Sequence, residues 1–396
     1  MRFVTKPLLV VSLLLAPVAT LGAVEQVHTV AVKLQTPKSD RDKRAQPPYD
    51  EVQFDLWLPG DVPVLRGVVV NPFHRPAATQ RHWQEACRHW GFALLGCDFF
   101  GVKESDFRTL FTALERFAAQ TQHPELAHVP LCYVGMSAGA GMSMRFTALA
   151  PQRTLAAAPV CLEVGPRTPE SRSVPIVTIF GEKDGRQMEQ LLAKLPAERQ
   201  EHARWAIAVQ WGRRHEFARA NNLAMPWFDR VIAHRLPDNV PPGQGVSLRD
   251  CPESSGWLGS TADWSTIAPY EEFSGDRTQA CWLPDAYVAH VWQAFVARSP
   301  QVRIEEPAGL GDGAPLVVHE SGEPIRVRIK LTDPSSVQRI ELYRGDTRWL
   351  AAAGAATDLQ GPPLPPGIHA LFAAAVRNDG TRHLSPPNTI LVRAGR

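Results

Sequence analysis

Net charge is nearly absent from this sequence: 42 Lys and Arg face 40 Asp and Glu, leaving a formal +2 over 396 residues. A balanced surface offers a polyanion little to hold, so nucleic acid is not an expected partner. The six cysteines form no C-x-x-C pair, and no H-E-x-x-H occurs. Spacing therefore gives no metal signal; the nearest approach is His82 and His89, seven positions apart on one predicted helix. The glycine patterns of dinucleotide folds and P-loops are missing too, so no cofactor is expected. Beyond the N-terminal residues, no apolar run is long enough to cross a bilayer.

What is present begins with length. A chain of this size exceeds one ordinary core, which predicts one large domain and a smaller one. The N-terminus reads Met1-Arg2-Phe3-Val4-Thr5-Lys6, then an apolar run from Pro7 to Val18, then small residues up to Ala23. A basic start, a short apolar centre and a small-residue end describe a secretory signal peptide over 1–23, with an uncleaved membrane anchor as the alternative. A secreted or periplasmic protein starting near Val24 is the expectation. An even number of cysteines in an exported chain permits disulfides, and Cys251 with Cys281, flanking a loop-rich stretch, is the best candidate pair. Cys132, inside an apolar strand pattern, reads as a buried small hydrophobe.

Residues 24–50 read as an N-terminal extension with a polar loop from Lys38 to Tyr49. From 51 to 299, continuous apolar strands such as Gly67 to Val70, Leu131 to Val134 and Pro175 to Phe180 alternate with amphipathic helices. That pattern predicts an α/β domain whose mostly parallel sheet is covered by helices on both faces. Near Ser299-Pro300 the texture changes. Ile325 to Leu331 alternates cleanly, and Asp333-Pro334, Pro365-Pro366-Gly367 and Asn378-Asp379-Gly380 punctuate short strands, so 300–396 reads as a small all-β sandwich. With Glu305-Glu306-Pro307 and Arg339 to Asp346, this tail resembles the bacterial immunoglobulin-like modules attached to secreted carbohydrate-active enzymes.

Within the α/β region, Gly135-Met136-Ser137-Ala138-Gly139 follows a strand and precedes a helix. Two residues without Cβ atoms make room for a sharp turn that holds Ser137 in a strained conformation with its hydroxyl projecting. A serine hydroxyl is a poor nucleophile until a base takes its proton, so an acid and a histidine must accompany it. The strand ending at Phe180 runs into Gly181-Glu182-Lys183-Asp184-Gly185; Asp184 is the preferred acid and Glu182 the reserve. His215 lies in a loop just after the strand Ile207 to Gln210, whereas His202, His234 and His290 fall in helical patterns.

On these residues and their order, Val52 to Val296 resembles the α/β-hydrolase superfamily of serine esterases, and looks most like its dienelactone-hydrolase and polyhydroxybutyrate-depolymerase-like secreted members. The resemblance implies an oxyanion hole made by two backbone N–H groups. One is that of Ala138; the other comes from the loop Asn71-Pro72-Phe73-His74-Arg75, where Pro72 has no N–H and Phe73 or His74 is the donor. Trp257 and Trp282, in a Trp- and Pro-rich stretch, are candidates for stacking on sugar or aromatic groups, with the anchoring of a long loop as the equal alternative, shared by Trp264. Trp83 and Trp292 read as core. The function expected is a secreted serine hydrolase acting on carboxylic esters, with polysaccharide-linked or aromatic esters as the substrate by analogy. A serine peptidase of the same fold and a catalytically dead carbohydrate-binding surface protein are the alternatives.

Overall fold

The computed structural model describes residues 25–36, 50–99, 101–239, 244–298, 300–311 and 317–394. The expected signal peptide and the whole polar segment from Lys38 to Tyr49 lie outside them. Eight strands build the main sheet: β1 (Gln26–Lys33), β2 (Glu51–Leu58), β3 (Gly67–Asn71), β4 (Phe92–Cys97), β5 (Leu131–Met136), β6 (Thr154–Val160), β7 (Ile176–Gly181) and β8 (Trp205–Gln210). Their order is β1-β2-β4-β3-β5-β6-β7-β8. From β4 to β8 all neighbours are parallel, while β1 and β2 run antiparallel at one edge. The sheet is thus mostly parallel, with helices α1 (Arg81–Trp90), α2 (Thr109–Thr121), α3 (Ala138–Leu149) and α4 (Gln187–Gln200) between its strands and α5 (Asn221–Arg235) after the last of them.

The reason lies in the strand sequences. All six residues of β4, β7 and β8 and all seven of β6 are buried, as a sheet covered on both faces requires. The helices supply the cover: α1 buries the stripe Trp83, Ala86, Cys87 and Trp90, then stops at Gly91, whose φ of 70° is the left-handed conformation that ends helices, while α5 is buried all round from Asn221 to Phe228. Residues 26–33, with the β-branched Val27, Thr29, Val30 and Val32, form β1, which pairs with β2 along its whole length, Gln26 opposite Leu58 to Lys33 opposite Glu51. Part of the N-terminal extension therefore belongs to the sheet.

A three-stranded sheet, β9 (Trp257–Ser260), β10 (Ile267–Pro269) and β11 (Ala280–Leu283), and helix α6 (Ala286–Phe295) pack beside β8. Here the pairing of Cys251 with Cys281 is corrected: all six cysteines are buried and free. Strand β11 turns Cys281 into the core, where its Sγ meets the Ile207 backbone, 3.3 Å from N and 3.4 Å from O.

The C-terminal region is a β-sandwich. One sheet holds β12 (Val302–Glu306), β14 (Ile325–Leu331) and β17 (Asp358–Gly361). The other holds β13 (Val318–Glu320), β15 (Val337–Arg344), β16 (Thr347–Ala353), β18 (Gly367–Arg377), β19 (Arg382–Leu384) and β20 (Asn388–Arg393). Strand β14 alternates buried and exposed residues as its sequence does. Strand β18 is buried on both faces: Leu371, Ala373 and Ala375 join the sandwich core, while Ile368 and Ala370 join the core of the α/β domain. Asn222, near the start of α5, ties the two together. Its Oδ1 accepts from the N–H groups of Leu310 and Thr389, both at 2.8 Å, and its Nδ2 donates to Leu310 O at 3.1 Å.

Candidate active site

The strand order reverses at β3, between β4 and β5, and the crevice at the carboxyl ends of such strands is where α/β sheets receive ligands. Ser137 stands there. Its φ of 55° and ψ of −118° lie in a sparsely populated region that costs a non-glycine residue about 1–3 kcal/mol. Ser137 N–H donates to Val160 O at 2.8 Å and its C=O accepts from Ala140 at 3.0 Å, so backbone bonds on both sides hold the turn. The two motif glycines have a measurable purpose. A Cβ on Gly135 would stand 2.7 Å from the Gly139 carbonyl group, and one on Gly139 would stand 2.9 Å from Phe73 Cβ. The Ser137 side chain does not cap α3, and among the described residues its hydroxyl has no hydrogen-bond partner.

Asp184 and His215 are brought together by the neighbouring strands β7 and β8. His215 Nδ1 lies 2.9 Å from Asp184 Oδ2 and 3.0 Å from Oδ1. The Asp184 side chain is largely buried and that of His215 is 44% exposed, so the ring is held at its inner nitrogen and open at its outer one. Glu182, the reserve acid, points away and accepts from Gly212 N–H at 2.8 Å. The rival histidines are engaged elsewhere: His202 with Glu253, His234 with Asp285, and His290 with Ala286 O. His215 makes no hydrogen bond to Ser137 among the described residues, a spacing common in ligand-free sites, where such bonds tighten only around substrate.

Ser137 instead opens on a cavity of about 320 Å³ lined by Phe73, His74, His82, Trp83, Phe217 and Asn221, among others. Trp83 is buried and also forms cavity wall. Asn221 Nδ2 donates to His82 Nε2 at 3.1 Å, and burial pushes the His82 imidazole down to about 4, which keeps it neutral at pH 7. In the loop after β3, Phe73 N–H faces Asn71 Oδ1 at 3.3 Å. Phe73 bridges Asp98 in antiparallel fashion while Phe99 N–H donates to Pro72 O. In that bonding pattern the His74 N–H turns toward β4 and the Phe73 N–H turns away from it. Ala138 is the first residue of α3, where N–H groups have no acceptor inside the helix.

Trp257 and Trp282 do not reach this cavity. Pairing of β11 with β9 turns Trp282 inward; it is fully buried, edge-on to Trp227, and its Nε1 donates to Glu253 O at 3.0 Å. Trp257 is half-buried against His290.

The sequence reading missed three residues of the site: His82, Asn221 and Cys161. Cys161 follows β6 directly, with φ 55°, and is buried. Its thiol donates to Glu216 O at 3.1 Å, and one ligand atom each of Cys161, Asp184 and His215 lie within 4.8 Å of one another. Burial, joined by the Asp184 charge, pushes the Cys161 thiol up to about 12. No local pattern marks this residue; the parallel pairing of β6 between β5 and β7 brings it there.

No family model matches the chain, and no curated protein matches it. Solved structures do. An esterase from an Arctic intertidal metagenomic library is 15% identical, matching 54% of this chain and 95% of its own, with a TM-score of 0.39. The dienelactone hydrolase from Anabaena variabilis is 16% identical over 54% of this chain and 99% of its own, with a TM-score of 0.36. Fibronectin(III)-like modules from Clostridium thermocellum are 27% identical over 23% of this chain and 94% of theirs, with a TM-score of 0.21. Likeness at this level says nothing of the substrate.

Proposed function

We propose that the chain is an exported serine hydrolase that cleaves carboxylic esters through an acyl-enzyme. The observation that carries this reading is the strained Ser137 at the sheet's switch point, its hydroxyl without a hydrogen-bond partner among the described residues, next to strands whose ends hold the hydrogen-bonded pair Asp184 and His215. Ser137 Oγ attacks the ester carbonyl while His215 Nε2 takes its proton and passes it to the departing alcohol. Asp184 fixes the ring through Nδ1–H, so that Nε2 carries the lone pair, and stabilises the imidazolium that forms. Water then attacks the acyl-enzyme by the same proton route in reverse. The N–H groups of Ala138 and Phe73 serve the oxyanion, which displaces Asn71 Oδ1 from its 3.3 Å contact with Phe73 N–H.

The cavity supports an acyl or alcohol group with an aromatic or compact apolar body, which Phe73, Trp83 and Phe217 flank, and with a polar substituent for His74, His82 or Asn221. Export rests on the N-terminal pattern, and among the described residues no helix is long and apolar enough to cross a membrane. The test is labelling of the purified chain with a fluorophosphonate, with the adduct mapped by mass spectrometry. A label on Ser137 that vanishes in Ser137→Ala, together with loss of aryl-ester hydrolysis, supports the reading. Cleavage of aminoacyl arylamides without aryl esters would make it a peptidase. Folded protein that takes no label and binds polysaccharide would demote the site to an inherited scaffold.

A further inference from the structure

Between Ser137 at the end of β5 and Asp184 after β7 lies the end of β6, and the residue there is Cys161. The resulting cluster holds three different ligand types: a thiol, a carboxylate and an imidazole. Their ligand atoms already fall within 4.8 Å of one another. Zinc bonds of about 2.0–2.3 Å in tetrahedral geometry separate ligand atoms by roughly 3.3–3.8 Å, so closing the set takes side-chain movements of about 1 Å. The backbone is tied at two of the three residues, and the third is held by its side chain. Cys161 N–H donates to Ile179 O at 2.8 Å, Asp184 N–H to Gly181 O at 3.1 Å, and the His215 ring rests on Asp184. The exposed His215 ring gives an ion its way in from solvent.

We propose that Cys161, Asp184 and His215 form a binding site for a thiophilic divalent cation, zinc in the first instance, and that an ion held there switches the hydrolase off. The silencing half of this inference rests on the serine-hydrolase reading above; the binding half does not. The chemistry of the ring explains the silencing. Coordination through Nδ1 leaves Nε2 as an N–H, and coordination through Nε2 consumes its lone pair. Either way no lone pair remains to take the Ser137 proton. Asp184 is withdrawn from the ring at the same time. Binding exchanges the Cys161 thiol proton for the metal: the S–H bond breaks, a sulfur–zinc bond forms, and the proton leaves to solvent with loss of the hydrogen bond to Glu216 O. Affinity therefore rises with pH.

The test uses the full-length mature protein, stripped with a chelator and titrated first with cobalt(II). A thiolate-to-cobalt charge-transfer band saturating at one ion per chain, and missing from Cys161→Ser, is the expected result. Its absence from the wild-type protein, or its persistence in Cys161→Ser, overturns the site without reference to any variant's activity. The second arm measures ester hydrolysis against zinc. Loss of activity that a chelator reverses, with about tenfold or more zinc needed for equal inhibition in Cys161→Ser, supports the switch. Equal inhibition of both proteins overturns it. A chain that takes no fluorophosphonate label yet shows the cobalt band keeps the metal site and loses the hydrolase reading, so the two failures stay distinguishable.

Discussion

Gly139 is the place where stability and catalysis should part company. An alanine there would put its Cβ 2.9 Å from Phe73 Cβ, with Phe73 N at 3.9 Å. Carbon atoms in contact settle at about 3.5–4.0 Å, so the Phe73 loop must retreat by roughly 0.6–1.1 Å. Overpacking of this kind costs about 1–3 kcal/mol, and the better helix propensity of alanine in the first turn of α3 returns close to 1 kcal/mol. The net loss of stability is therefore small. The Phe73 N–H, by contrast, is displaced by up to about 1 Å from the oxyanion position proposed for it, a shift that costs on the order of 100-fold in rate, or about 2.7 kcal/mol of transition-state stabilisation. The assay pairs kcat and KM on an aryl ester with thermal unfolding of the same sample. A Gly139→Ala protein with near-native melting and kcat lowered by about two orders of magnitude is expected. Native kcat in a folded variant would refute the placing of Phe73 in the oxyanion hole. Loss of the fold would refute the view that the loop, and not the elbow, gives way.

Asp184→Asn should lower kcat by about 10⁴-fold while Glu182→Gln leaves it near native, because only Asp184 holds the His215 ring; equal effects would reassign the acid. Asn222→Leu strips partners from buried Leu310 and Thr389 and should cost roughly 2–4 kcal/mol, read as a lower denaturant midpoint; an unchanged midpoint would mean that the domain contact adds nothing. His82 carries a pH signature. Its folded-state value near 4 lies below the usual 6.5, so the unfolded chain binds the extra proton between them. Stability is full above about pH 6.5 and falls by up to roughly 3 kcal/mol as pH drops toward 4. His82→Gln should flatten that part of the stability–pH curve, and a curve of unchanged slope would exclude His82 as its source.

Local chemistry made the elbow legible. A turn that sharp needs Gly135 and Gly139 within four residues, so the constraint is written in adjacent positions. Asp184 and His215 were legible as strand-end residues, but their hydrogen bond, and the absence of one to Ser137 among the described residues, belong to geometry between strands. What stayed hidden was non-local throughout. Cys161 reads as one more apolar-strand cysteine until β6 is set beside β7. Trp282 reads equally as a stacking residue or as an anchor of its loop, and only the pairing of β11 with β9 turns it into the core. Strand β1 has the β-branched residues of a strand, but its place beside β2 is set by pairing over a long sequence separation. The cysteine pairing failed for the same reason: flanking a loop says nothing of which way Cys281 faces.

Two consecutive residues join the C-terminal sandwich to the reaction site. Asn221 faces the cavity beside Ser137 and holds neutral His82 by its amide, while Asn222, about 100° further round the helix, bonds Leu310 and Thr389. Both sit in the first turn of α5, a helix packed against β18 and β20 on one side and β6 on the other. Cavity wall and sandwich thus share one rigid turn, and β18 is shared between two cores. A tethered accessory module would leave its contact face polar and its linker long. Here the contact is apolar, centred on Ile368, Ala370 and Leu391, and reinforced by Arg393 on Glu85 of α1, the helix that also carries His82 and Trp83. The sandwich therefore acts as a buttress for the two helices, α1 and α5, that form the far wall of the cavity, and whatever holds it in place also sets the shape of the pocket facing Ser137.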